Sequence, residues 1–358
     1  MKPQIELSVI VCTRNRAKQL ATLIQCLGCQ NNIEKLNWEI VIVDNNSSDN
    51  TKEVSYAFCE GSNLKINYIF ESKTGLSYAR NTGVLASTGS LLLFVDDDVL
   101  IPAEFISNAL FGVQEFNEFH IFGFKVLPDW SEINSNVHPL PYSPHPPVPF
   151  WMTFKKPFNI SQSFLPVHDL GPEPLSYPNR IARNPLGACF LVKKEVFEKL
   201  GPFREDIGAG QSGAHEDSEY FWYALINKFK ILYWPYAALY HPVTPERLTV
   251  SYLHRWYFNS GKSLYLVKNI GRIFNIKNKP ILGIEGFIAN KLPPVFETLL
   301  LKTKIFKVSI FLWLKLFLLF LLLPITTFLL LIKRPFYLST LFVKTLGEVK
   351  QAILSHEA

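Results

Sequence analysis

The chain has 358 residues, 48% of them hydrophobic and 14% aromatic, with a formal net charge of +6 and a mean hydropathy of +0.12. That length holds one large α/β domain with an appendage, or two modest domains. The positive excess lies after residue 250 and suits an anionic membrane surface. A nucleic-acid groove would need a dense basic stripe interleaved with aromatics, which the first 250 residues lack. The five cysteines, at 12, 26, 29, 59 and 189, are odd in number and show no metal-like pairing. Cys26 and Cys29 sit inside a helical pattern and read as packing residues, so the bulk of the chain is expected in a reducing cytoplasm. No secretory leader is expected, because the first apolar run is short and follows Glu6.

In chain order, residues 6–12 (ELSVIVC) read as a strand, closed by Thr13-Arg14-Asn15-Arg16, and residues 17–27 carry apolar side chains at helical spacing. Residues 38–43 (WEIVIV) form a second buried strand, closed by Asp44 and a polar cluster that caps a helix over 51–60. A third strand spans 65–70 and a third helix 76–86. Residues 91–100 (LLLFVDDDVL) then drive an apolar strand into Asp96, Asp97 and Asp98. Alternating strands and helices specify a parallel, doubly wound sheet, with ligands beyond the carboxyl ends of its strands. Three adjacent carboxylates there repel one another unless they are solvated or a hard divalent cation neutralises them. A solvated acidic turn and a metal site are both open at this point. There is no GxGxxG after the first strand, which counts against a dinucleotide oxidoreductase.

Four blocks, SVIVCTRNRAKQL, EIVIVDNNSSDNT, GLSYARNTGV and LLLFVDDDVLIP, occur in this order. Together they resemble the donor half of a family 2 glycosyltransferase over roughly the first 110 residues. The resemblance implies the α/β GT-A fold: a Rossmann-like, mostly parallel sheet flanked by helices. It implies inverting transfer from a nucleoside-diphosphate sugar (a UDP-, GDP- or dTDP-sugar) to a saccharide or lipid-linked acceptor, with Mn²⁺ or Mg²⁺. Asp44 would accept a hydrogen bond from the base, although an Asx turn explains the same residue. Thr13 and Arg16 would flank base or phosphate. Arg80 suits a phosphate bidentately, or a surface ion pair. Asp96, Asp97 and Asp98 form the acidic motif, with Asp96 and Asp97 toward the donor and Asp98, with Asp96, on the metal.

Residues 119–183 break the pattern, apart from a strand at 120–126. The proline-dense stretch 139–149 is surrounded by Trp130, Trp151, Phe154, Phe158 and Phe164, which stack on sugars or pack the loop down. Residues 187–193 read as a strand and 195–200 as a short helix. A glycine-rich loop then leads to His215-Glu216-Asp217 and a helix running to about residue 228. In the resemblance this is the ED motif: Asp217 is the base toward the acceptor hydroxyl, and Glu216 is positional or touches the acceptor. Two carboxylates opening a helix also simply complement its dipole. After a strand at 230–234, His241 stands where a further metal ligand is implied. The helix over 249–268 carries YLHRW, similar to a processive-synthase motif but with Tyr252 where that motif has Gln. Arg255 is the diphosphate or acceptor contact it implies.

The expected organisation is a donor-binding half over 1–118, an acceptor-binding and catalytic half over 119–268, and a membrane-associated helical region over 269–358. Residues 308–332 are apolar apart from Lys315 and a few polar residues, are interrupted by Pro324, and are long enough to cross a bilayer. Basic residues on both sides leave its orientation open between a span, a hairpin and a surface helix. The expected location is the cell membrane, with the catalytic part cytoplasmic. The rival readings are a nucleotidyltransferase, which would carry a glycine-rich turn that CTRNRAKQL lacks, and a catalytically silent, membrane-tethered nucleotide-binding protein.

Overall fold

The apolar runs become strands because the sheet buries them on both faces. A computed structural model describes residues 6–62, 64–133, 165–177 and 184–269, together with 343, 344, 346–348 and 351. β1 (Leu7–Thr13), β2 (Trp38–Asp44) and β4 (Leu91–Asp96) are buried along almost their whole length, while β3 (Ile66–Phe70), at the sheet edge, is half-exposed. Between them lie α1 (Ala17–Gly28), α2 (Thr51–Gly61) and α3 (Leu76–Ala86). α1 buries Leu20, Leu23, Ile24 and Leu27, the one-sided spacing of an amphipathic helix on a sheet. A helix not anticipated from the sequence, α4 (Phe105–Glu115), follows β4 and packs against the far half of the sheet. Its Gly112 lets the Trp234 ring lie directly on the helix backbone.

The remaining elements are β5 (Ile121–Asp129), β6 (Leu175–Ser176), β7 (Cys189–Lys193), α5 (Lys194–Leu200), α6 (Glu216–Ile226), β8 (Ile231–Pro242), a 3₁₀ turn (Pro245–Leu248) and α7 (Val250–Asn269). The eight strands form one sheet in the order β3-β2-β1-β4-β7-β5-β8-β6. β3, β2, β1 and β4 are mutually parallel, and so are β5 and β8. β7 runs antiparallel to both β4 and β5, so the sheet is mixed rather than wholly parallel. Residues on both sides of position 118 build this single sheet.

Register sets the functional edge. Thr13 pairs with Asp44, and Cys12 with Asp96, so the ends of β1, β2 and β4 lie level. β8 slips register against β5 between Phe124 and Lys125, where its partner jumps from Trp234 to Ala238. Such a bulge re-aims a strand. Beyond it, Leu100 and Tyr240 exchange backbone hydrogen bonds of 2.8 and 2.9 Å, tying the chain after the acidic motif to the end of β8.

One core cluster joins α1 and α4 to the sheet, and a second stacks Phe94, Phe190, Phe203 and Tyr220 on the opposite face. Trp130 is buried with Leu165, Val243 and Leu253, so this aromatic packs its loop down. Trp151, Phe154, Phe158, Phe164 and the apolar stretch 308–332 lie outside the described residues. Among the described residues, no helix is long and apolar enough to cross a membrane.

Candidate active site

At the end of β4 the three carboxylates have different partners because successive side chains face different ways. Asp97 turns inward, only 4% exposed. Arg16 bridges it to Asp98, its Nη1 donating to Asp97 Oδ1 at 2.8 Å and to Asp98 Oδ2 at 2.7 Å. Asp98 presents its other oxygen, Oδ1, 3.5 Å from Nε2 of the buried His241. Nδ1 of His241 faces the carbonyl of Pro242 at 3.1 Å. A carbonyl only accepts, so Nδ1 carries the proton and Nε2 keeps its lone pair toward Asp98. One ligand atom each from Asp96, Asp98 and His241 falls within 4.8 Å of the others.

Burial is the largest influence on Asp96. Opposed by Arg80 and reinforced by Asp98 and Asp97, it pushes this carboxyl up to about 7. Burial also lowers His241, which favours the neutral imidazole that a metal requires. Two carboxylates with a neutral imidazole form an oxygen and nitrogen donor set suited to Mn²⁺ or Mg²⁺. The crowding of like charge is what a cation relieves, so these residues fit one.

Arg80, read from the sequence as a phosphate contact or a surface ion pair, is 3% exposed and ion-paired inside the protein. It donates to Glu216 Oε1 and to the Gly187 carbonyl, both at 3.0 Å, and lies 3.7 Å from Asp96 Oδ1. Its neighbours on α3 grip the same loop. Ser77 donates to the Ile207 carbonyl at 3.1 Å, while Asn81 and the Phe203 backbone bond reciprocally at 3.0 and 2.9 Å. The SYARN block is therefore a clamp between the acidic strand end and the ED loop.

The loop delivers His215 in the left-handed conformation (φ 69°) as the N-cap of α6. Glu216 points inward to Arg80; burial, with help from Asp217 and against Arg80, raises its pKa. Asp217 turns the other way, into a cavity of about 760 Å³ that it shares with Asp96, His241, Arg247 and Trp256. One Asp217 oxygen accepts from the Ser218 backbone N–H at 2.6 Å. The other lies against Gly187, where a Cβ would collide with it.

Asp44 is buried and accepts from the Ser47 backbone N–H at 2.9 Å, the Asx turn its sequence context allowed, and from the Tyr68 hydroxyl at 2.8 Å. Thr13 is buried beside it at the end of β1. Arg255 is not brought to the cavity: it is 58% exposed and pairs with Glu246 on the outer surface. Arg247, which the sequence reading passed over, lines the cavity instead. Its only local signal was a charged pair, Glu246-Arg247, on a proline-initiated turn directly after the β8 histidine.

The mixed sheet, with an acidic strand end facing a carboxylate-opened helix across one cavity, is the architecture of GT-A transferases. The family model described as Glycosyl transferase family 2 matches residues 8–201, and the chain belongs to that family. It is 31% identical over 111 residues to the poly(ribitol-phosphate) beta-N-acetylglucosaminyltransferase TarS of Staphylococcus aureus (strain Mu50 / ATCC 700699), a match covering 31% of this chain and 19% of that protein's length. It is 23% identical over 261 residues to the succinoglycan biosynthesis protein ExoM of Rhizobium meliloti (strain 1021), covering 72% of this chain and 74% of ExoM. Among solved structures, a mannosyltransferase from Pyrobaculum calidifontis in complex with GDP-Man and Mn²⁺ superposes with a TM-score of 0.56 at 17% identity. That superposition covers 99% of this chain and 88% of the other, and it establishes the shared fold.

Proposed function

We propose that this chain is an inverting transferase that moves a sugar from a nucleoside diphosphate to an acceptor hydroxyl, in the assembly of a polysaccharide or another glycan. The observation that carries the reading is the grouping of Asp96, Asp98 and His241, two of which, Asp96 and His241, line the same cavity as Asp217. Family membership, and relatives named for N-acetylglucosaminyl transfer and succinoglycan biosynthesis, support it. Asp96, Asp98 and His241 would hold Mn²⁺ or Mg²⁺, and the cation would neutralise charge on the departing diphosphate. Asp44 and Thr13 would take the nucleoside on the β1–β2 side of the same edge. Arg16 keeps Asp97 and Asp98 apart in direction while offsetting their charge.

Asp217 is the base in this reading. The Ser218 N–H holds one of its oxygens and leaves the carboxylate facing the cavity, where an acceptor hydroxyl donates its proton as the oxygen attacks the anomeric carbon in line. A single displacement of this kind inverts the anomeric configuration. The acceptor is a saccharide or a lipid-linked saccharide. The apolar stretch 308–332 supports working at a membrane, with the catalytic part on the cytoplasmic side.

Nucleotide release should be measured from UDP-, GDP- and dTDP-sugars with Mn²⁺ or Mg²⁺, using full-length protein and Asp98→Ala. One donor is expected to turn over, with activity lost in excess EDTA and in Asp98→Ala. Full turnover in EDTA overturns the metal assignment. Nucleotide binding with no turnover of any donor overturns the transferase reading in favour of a silent binding protein.

A further inference from the structure

We propose that Ser263 of α7 is a positioning residue for the transfer: its buried hydroxyl holds the glycine-rich loop that delivers Asp217. The proposal rests on the reading of Asp217 as the base and adds to it a residue from a different element.

The loop cannot hold its own shape. Gly208, Gly210 and Gly213 have φ of 101°, 86° and 120°, and His215 is left-handed as well. Backbone of that kind makes neither a helical nor a strand ladder, so its N–H groups need other partners. Gln211 and Gly213 donate to the Gly208 carbonyl at 3.1 and 2.7 Å. The Gly208 N–H donates to the Ser212 hydroxyl at 3.3 Å. Ala214 goes outside the loop: its N–H donates to the Ser263 hydroxyl at 3.1 Å.

The protons of this network can be ordered. The Ser263 hydroxyl donates to the Asn259 carbonyl one turn earlier in α7, at 3.1 Å. A hydroxyl has one proton, so toward the loop Ser263 only accepts. It accepts from Ala214 and from the Ser212 hydroxyl, which lies 2.7 Å away. Ser263 is wholly buried and Ser212 nearly so. A hydroxyl at such a site is costly unless bonded, whereas alanine would fill the position with no polar atom to satisfy. Asn259, Ser260 and Ser263 share one face of α7 through their helical spacing. A Cβ on Gly213 would strike the Asn259 side chain, and Nε2 of His215 lies 2.7 Å from the Ser260 hydroxyl. Three consecutive loop residues, Gly213, Ala214 and His215, therefore rest on α7, and Asp217 follows two residues later. The opposite side of the loop is fixed to α3, where the Leu76 N–H donates to the Ala209 carbonyl at 2.9 Å. The base is thus slung between two helices, with Ser263 at the α7 end.

The experiment uses full-length protein in Mn²⁺ with the donor that turns over in the nucleotide-release assay. Ser263→Ala, Ser263→Thr, Ser212→Ala and, as a control on the exposed start of α7, Ser251→Ala are compared with the wild type. Three quantities are read: kcat, affinity for UDP and GDP by calorimetry, and amide hydrogen exchange over residues 208–217. Ser263→Ala should lower kcat roughly 10- to 100-fold, the scale of a small misplacement of a catalytic group. Nucleotide affinity should stay within twofold, and exchange over 208–217 should quicken while β1 and β4 stay protected. Ser212→Ala should show the same pattern more weakly, Ser263→Thr should recover most of kcat because it keeps the hydroxyl, and Ser251→Ala should match the wild type. Unchanged exchange over 208–217 in Ser263→Ala overturns the proposal, and so does faster exchange with normal kcat. If Ser263→Ala loosens the whole sheet together with the loop, Ser212→Ala decides, and normal kcat there overturns the proposal. Near-normal kcat in Asp217→Asn instead overturns the reading of the base, while hydrogen exchange still reads the tie between the loop and α7 by itself.

Discussion

Arg80 donates to Glu216 at 3.0 Å, with their side chains 3% and 9% exposed, and so ties α3 to the start of α6 across the sheet edge. The same guanidinium lies 3.7 Å from Asp96. One buried cation therefore ties the acidic end of β4 to the carboxylates that open α6. A buried charge left without its partner is costly, about 3–5 kcal/mol. Arg80→Ala should lose stability on that order in urea unfolding, because it strands Glu216. The double variant Arg80→Ala/Glu216→Ala should lose less than the sum of the single losses. Additive losses would show that the two side chains do not act on each other.

Asp217 and Gly187 make a second coupled pair. A Cβ at Gly187 would strike the Asp217 carboxylate, so that carboxylate sits where it does only because residue 187 has no side chain. Asp217→Asn keeps the shape and removes the proton acceptor. Its kcat should fall about 10²- to 10⁴-fold, the usual contribution of a general base, with nucleotide affinity held within a few-fold. Gly187→Ala should also lower kcat, by displacing the carboxylate, at a stability cost of about 1–3 kcal/mol for the overpacked contact. Glu216→Gln should cost less in kcat than Asp217→Asn and more in stability, since its partner is Arg80 rather than the acceptor. Near-normal kcat in Asp217→Asn would move the base elsewhere.

What the sequence made legible follows from how local each signal is. The buried strands and the carboxylates at their ends could be read because apolar runs and polar stops lie next to each other in the chain. The grouping of Asp96, Asp98 and His241 followed from the family pattern, and the structure reaches it through the β8 bulge and the Leu100–Tyr240 bridge. No local spacing encodes that bulge. The partners of Arg80 were not legible because nothing around SYARN announces one 136 residues away. α4 went unread because its buried side begins with adjacent Phe105 and Ile106 and ends at Gly112, where contact with Trp234 decides the packing. The direction of β7 depends on the route of the chain after β5, which passes through a proline-rich stretch with no periodicity.

His215 gives the protein an acid-sensitive joint. Its Nε2 lies 2.7 Å from the Ser260 hydroxyl on α7, and Trp222 and Trp256 flank its ring. Burial, assisted by the charge of Lys344 and opposed by Asp217, lowers its pKa from 6.5 to about 4. A histidine depressed in the folded state contributes stability that is present above pH 6.5 and lost as pH falls through the folded value. Thermal stability should therefore decline between about pH 6.5 and 4. His215→Asn accepts the left-handed backbone and does not titrate, although its shorter side chain gives up the bond that Nε2 makes to Ser260. Its decline over the same window should be shallower. Parallel declines would exclude His215 as the source.

The last expectation concerns sidedness. Gly261 of α7 and Gly347 are in backbone contact: a Cβ on Gly261 would fall on the Lys344 carbonyl, and a Cβ on Gly347 on the Phe258 carbonyl. With no side chain between them, the two stretches are held together as closely as their backbones allow, and Glu348 is buried in the same contact. α7 and the described residues 343, 344 and 346–348 are therefore neighbours. If residues 308–332 engage a bilayer, the chain must return to the face it left, so a single net crossing is incompatible with this contact. An epitope tag following Ala358 and one inserted at the exposed Gln211 should be digested together when protease is added to inside-out vesicles, and protected together in right-side-out ones. Gly347→Leu forces the contact apart and should lower thermal stability, because leucine cannot fit where even a Cβ collides. Digestion of one tag with protection of the other, in either vesicle type, would show that the two stretches are on opposite faces and that the Gly261–Gly347 contact does not hold in the membrane-bound protein.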